Sequence, residues 1–333
     1  MSKHNELSPE AKEENRQDRS LLEENLAYLR ANAAGDAEGL YGPQSVTWLM
    51  NREPAILLGG LRAILLQIAH PAVAEGVSEN SNFRTDIIGR ARRTFSAMYQ
   101  LSFGHLEEAI GAAKRLHSLH ERTRGAVEGT SYRANDPKLL WWVLATLIDT
   151  TPRLYETFHR PLTQPERERF YQEAKLAAAQ FAIPRSLVPE TTQDFAAYFK
   201  DMLEGDTLRA GQTSRELASH LFNSPYRVGS FDKIISAGFL SPRWRAAFAL
   251  QWGTQEQAVF NAVVTAGRAA IRATPERLRF VTAYHQAMLR VALSKGETPS
   301  LQGRLLNWLA PRIKLPFSTK PVAEDGWRRG PHK

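Results

Sequence analysis

The sequence predicts an all-α protein folded as one domain, and three observations carry that expectation. From Ser45 onward, apolar residues recur with the helical period of three to four. No stretch alternates apolar with polar residues in a β-branched-rich run, the mark of a half-buried strand. No Asn-Gly or Asp-Gly pair sits between such runs to close a hairpin.

Taken in order, residues 1–40 are charged, with a short helix expected near 18–32 and the rest loose. Pro54 opens a segment that is apolar nearly all round as far as His70, as a buried helix is, and Pro71 should kink or end it. A second segment runs on through Val77. Thr85–Leu101, His105–Arg124, Asp136–Phe158 and Gln164–Phe181 follow as helices, and Asp136-Pro137 is a strong helix start. In the C-terminal half, helices are expected over 191–203, 206–222, 229–237, 241–251, 254–272 and 275–293. The helical body then spans 41–300, and 301–333 reads as an extended basic tail.

Composition narrows the chemistry. The chain has 333 residues, 43% apolar and 23% charged, as in an ordinary globular protein. It has no cysteine, which excludes disulfides, thiolate metal sites and cysteine nucleophiles. The polar start has no signal-peptide core, and no apolar run is long enough to span a bilayer, so a cytoplasmic protein is expected. Net charge is +8, but the basic residues are mixed with Glu and Asp, and no nucleic-acid-binding motif accompanies them. A solvated basic surface is expected, not a nucleic-acid partner.

The candidate site begins with "RLHSLHERTRG". Leu106, Ile110 and Ala113 step along one helix side, and His117, His120 and Arg124 continue the stepping. A stripe that starts apolar and ends in imidazoles and a guanidinium suits the wall of a polar or metal-containing pocket. His117 and His120 lie about 60° apart around a helix, so one iron would take one of them. His70 ends the buried segment; taken alone, it reads as a core histidine as readily as a ligand. His105 reads as a surface or cap residue. In "GRARRTF", Arg90 and Thr94 share a face with Arg93 within one turn; the bland reading is an exposed basic face, the functional one a grip on an anionic or oxygen-bearing ligand. Gly59-Gly60, inside a helical pattern, would let two backbones, or a backbone and a flat cofactor, come close. No zinc-protease helix, nucleophile elbow or di-iron motif is present.

From about Trp48 to Leu293 the chain resembles the rubber-oxygenase haem domain shared by latex-clearing proteins and the MpaB oxygenase. The likeness is densest in "LLQIAHPAVAEGV", "DIIGRARRTF", "LHERTRG", "YRANDPKLLWWVLATL" and "FHRPLTQPERERFYQEAK". The resemblance implies a globin-like helical fold with additional C-terminal helices, binding haem b. It matches Arg90 and Thr94 to the family's Arg-x-x-x-Thr pair, and His120 and Arg124 to its His-x-x-x-Arg pair. His120 is then the iron ligand, and Arg124 helps hold the haem or the ligand helix. His70 and His117 are carried as cofactor-side candidates. Arg93 stands where latex-clearing proteins have a distal lysine; an arginine stays protonated and would hydrogen-bond in the pocket instead. Asn80 and Leu144 stand where many short bacterial members have histidines ("GVADHSDF", "WVHATL").

The implied function is a haem-dependent oxygenase that brings dioxygen to an apolar substrate such as an isoprenoid. Two rivals remain open: a non-catalytic haem or small-molecule binding protein on the same scaffold, and a helical interaction protein using its basic surface.

Overall fold

The computed structural model describes residues 8–80, 87–223 and 230–312, and they are almost entirely helical. Helix α1 (Pro9–Asn32) starts where Ser8 accepts a hydrogen bond from the Ala11 N–H. Its Leu22, Leu26 and Leu29 recur one turn apart and are buried with Leu106, Ile110 and Ala113. The helix is much longer than the sequence suggests, because its first half is held by ion pairs that leave no apolar pattern. After α2 (Val46–Asn51), the expected buried helix divides into a 3₁₀ turn (Pro54–Gly59) and α3 (Gly60–Ile68). Pro71 opens α4 (Pro71–Asn80), and the chain bends by 107° there. The cause is the expected one: proline lacks the N–H that would continue α3.

Helix α5 (Ile87–Phe103) follows, and the expected start at Thr85 lies outside the described residues. Helix α6 (Leu106–His120) is capped by His105, whose Nδ1 accepts from the Glu108 N–H at 3.4 Å. It ends at His120, not at Arg124. Arg124 instead begins a hairpin, β1 (Arg124–Val127) with β2 (Thr130–Arg133), in which Arg124 pairs with Arg133. The expectation of no hairpin fails here because Glu128-Gly129 does the work of Asn-Gly: both residues take positive φ, 50° and 79°. Strands of four residues are also too short to show an alternation.

Helix α7 (Pro137–Phe158) runs through the centre, its Asp136 cap accepting from the Lys138 and Leu139 N–H groups. Trp142 is buried, stacks on Phe199 at 5.5 Å and donates to the Leu66 carbonyl. Around α7 pack α3, α2 and α8 (Gln164–Gln180). The main core also draws on α9 (Thr192–Glu204), α10 (Gln212–Phe222) and α12 (Pro242–Ala247). Between the last two lies α11 (Ser230–Gly238). Helix α13 (Thr254–Ala273) lies over α7 and α11, and α14 (Glu276–Arg279) leads into α15 (Thr282–Ser294). Residues Leu301–Leu309, expected in the extended tail, form helix α16 against α15. Among the described residues, no single helix is long and apolar enough to cross a membrane.

Candidate functional site

A cavity of about 370 Å³ opens between the 3₁₀–α3 segment, α5, α7 and α11, with α6 at one side. Its wall is built from helical stripes. Leu57, Leu61 and Ile64 come from the first segment, Thr94, Met98 and Leu101 from α5, and Val143 and Leu147 from α7. Each set steps by three or four, so one face of each helix is given to the cavity. Gly60 lies on the wall, where an added Cβ would meet Phe95 at 3.4 Å, while Gly59 points away and sits against α7. The polar groups on the wall are Gln67, Thr94 and Asp232. Gln67 is turned onto α7, donating to Thr146 Oγ1 at 3.0 Å. An apolar chamber of this size with few polar groups suits a small apolar ligand or a flat cofactor. A larger surface depression of about 640 Å³ beside Tyr28, Lys175 and Arg185 contains none of the candidate residues.

Thr94 is on the cavity wall and open to solvent, Arg93 beside it is exposed, and Arg90 lies one turn earlier on α5. The Arg90 and Asn80 side chains lie outside the described residues. On α6, Leu116 lines the cavity, and His120 follows one turn later on the same face. The His120 imidazole is pushed down to about 4, chiefly by removal from water and then by the neighbouring His117. It is therefore neutral at ordinary pH, so one ring nitrogen keeps its lone pair.

His117 faces elsewhere. It is buried, with Nδ1 3.7 Å from Glu121 Oε1 and Nε2 without a partner, and Asp18 of α1 acts on it electrostatically. Arg124 also turns to α1: it pairs with Glu14 and donates to Asn15 Oδ1 at 2.6 Å. Arg19–Glu121 and Arg133–Asp18 complete this ionic seam, so Arg124 braces the end of the α6 segment against α1. His70 is half-buried, its Nδ1 buried without a partner, and the Asp136 carboxylate partly offsets the burial that lowers its pKa.

Sequence reasoning missed Asn135. Its Nδ2 donates to the His117 carbonyl at 3.1 Å, and its amide sits beside the His120 ring, with Oδ1 buried and otherwise unpartnered. "RANDP" offered a signal, an asparagine directly before a helix cap, but no spacing rule connects it to a histidine fifteen residues earlier. Leu144 is 4% exposed and belongs to the core around α7.

Among the described residues, no group of three or more His, Asp or Glu side chains is placed to hold a bare metal ion. A porphyrin supplies the equatorial ligands itself and asks one donor of the protein. The neutral His120 ring, the unpartnered Asn135 oxygen beside it and the apolar cavity one turn away fit that demand.

A family model described as "ER-bound oxygenase mpaB/B'/Rubber oxygenase, catalytic domain" matches residues 47–269. Two curated relatives, uncharacterized protein Rv2237 of Mycobacterium tuberculosis and uncharacterized protein Mb2261 of Mycobacterium bovis, are each 29% identical over 224 residues. In each case the match covers 64% of this chain and 88% of the relative. No solved structure matches.

Proposed function

The chain belongs to the family of MpaB and rubber-oxygenase catalytic domains, and from that premise we propose that it is a haem-dependent oxygenase of an apolar substrate. One observation supports the reading most. A single helix, α6, places Leu116 on the wall of an apolar cavity and, one turn on, a neutral imidazole at His120.

In this reading His120 would hold the iron through its lone pair. Haem b, when bound, supplies the redox chemistry by which dioxygen oxidises the substrate. Asn135, whose buried Oδ1 lies beside the ring, would accept the ring's other N–H and so fix the tautomer and the ring plane. Arg124 anchors the segment after the ligand helix to α1 and so limits how far His120 can shift. Thr94 offers a hydroxyl at the cavity wall to a polar or oxygen-bearing group, with Arg90 one turn away on the same helix. Leu57, Leu61, Ile64, Val143 and Leu147 exclude water and accept the apolar body of a substrate.

The test is haem content. The purified protein, expressed with haem supplementation, should show a Soret band. His120→Ala should lose most of it and His117→Ala should keep more. Equal haem in His120→Ala and wild type would remove the ligand assignment. Oxygen consumption with apolar alkenes after reduction then separates an oxygenase from a haem-binding protein without catalysis. That second reading is favoured by Leu144, a buried leucine that can neither donate a hydrogen bond nor relay a proton.

A further inference from the structure

Helix α16 wears its amphipathicity inside out. Its buried positions are Gly303 and Asn307, with Ala310 directly after it, and all are small or polar. Gly303 faces α15, where an added Cβ would make ordinary contact with the His285 carbonyl oxygen at 3.5 Å and Leu289 Cβ at 3.6 Å. Leu306 and Leu309 are half-buried, but the other three large apolar side chains point outward: Leu301 is 83% exposed, Leu305 55% and Trp308 54%. They step by four and three, so they form one stripe. Half of the large apolar side chains exposed among the described residues lie on this nine-residue helix. Arg312 borders the stripe, with its guanidinium stacked 4.1 Å over the Trp308 ring.

An amphipathic helix normally buries its large apolar side against its own protein. A contiguous exposed stripe therefore marks a surface that is covered by something else. Charge identifies the cover. From Arg304 to the last residue the sequence carries seven lysines and arginines against two carboxylates. Leucine and tryptophan on one face with a basic border and a basic continuation are the features of a helix lying in an anionic lipid interface. Tryptophan also favours that depth because its ring is apolar and its N–H can stay wet. A second copy of the chain fits less well: a helix of this length is about 13 Å long, too short to supply the ~800 Å² per partner of a stable dimer.

We propose that α16, with Leu301, Leu305 and Trp308 as its inserted face, docks this protein onto an anionic membrane surface. The experiment is flotation of the full chain with vesicles of phosphatidylcholine alone or mixed with phosphatidylserine, at low and high salt, beside light-scattering mass measurement. Wild type should float with the anionic vesicles at low salt and bind neutral vesicles far less. Added salt should weaken the anionic binding. The double substitution Leu305→Glu with Trp308→Glu should reduce partitioning by about tenfold or more, since it removes two inserted side chains and adds two negative charges. Both positions are exposed, and an unchanged circular dichroism spectrum would show that the fold survives. Absence of vesicle binding, or equal binding by the double variant, overturns the proposal. So does a wild-type dimer that the substitutions convert to monomer, because the stripe would then belong to a self-interface.

Discussion

Asn135 joins the two histidines of α6 through different atoms, its Nδ2 on the His117 carbonyl and its Oδ1 beside the His120 ring. Asn135→Leu keeps the volume but removes both polar functions. We expect it to lower haem retention and alter the ferric spectrum, with Asn135→Asp, which keeps an acceptor, closer to wild type. Identical spectra in all three proteins would show that Asn135 serves packing alone. Thr94 and Arg93 are both exposed neighbours, but of the two only Thr94 lies on the cavity wall. Thr94→Phe should therefore fill part of the cavity and weaken uptake of an apolar ligand severalfold. Arg93→Ala should change that affinity much less. Titration with a fluorescent apolar probe measures both. Neither difference was legible in "GRARRTF", because helical spacing shows which residues share a face but not what the face meets.

Elements were more legible than sites. The starts at Pro137, Gln164, Pro242 and Thr254 follow from local chemistry, a cap or a proline at the first turn, and need no tertiary information. Helix α6 shows the limit. Its apolar period continues into polar residues, so spacing alone could not show that the helix stops at His120 and a hairpin begins. Gly59-Gly60 was legible as a close approach, though not as to what approaches. Gly59 meets α7: an added Cβ would lie 2.6 Å from Thr150 Cγ2 and 2.8 Å from Leu154 Cδ2. Gly59→Ala should force the 3₁₀ turn off α7 and cost about 1–3 kcal/mol, readable in urea unfolding. Gly60→Ala, with only an ordinary contact to Phe95, should cost less and narrow the cavity instead.

Across the whole molecule, guanidiniums tie distant segments together, Arg290 from a buried position and Arg279 from a half-buried one. Arg290, 2% exposed, donates to the carbonyls of Ala37 and Phe103. Arg279 donates to both oxygens of Glu53, at 2.7 and 2.8 Å, and Glu53 is itself 2% exposed. Arg279→Met would leave that carboxylate with only Arg52 at 4.0 Å and His159 at 3.5 Å and should cost about 3 kcal/mol, whereas adding Glu53→Gln should recover part of the loss. Chemical denaturation of the two variants gives both values. Acid should act through the histidines. His70, His117, His120, His159 and His285 are all held below the ordinary imidazole range, chiefly by burial. An unfolded chain takes up these protons near pH 6.5. The native His120 waits until about 4. Below about pH 6.5 the unfolded state therefore binds more protons, and stability falls as the pH drops toward 4. The melting temperature should decline across that window, and His120→Gln should flatten the slope.

By itself the sequence determined the helical class, most helix starts, the family and the short set of polar residues worth testing. Periodicity, caps and prolines act within a few residues, so they survive in the linear order. Tertiary structure decided what each face meets. It turned Arg124 and His117 onto α1, placed Thr94 and Leu116 on one cavity, and brought Asn135 to His120. It also set Gly303 and Asn307 of α16 against the body, leaving Leu301, Leu305 and Trp308 outward. These outcomes depend on which helix packs on which, and that is settled by burial summed over segments far apart in the chain. No local spacing records that sum.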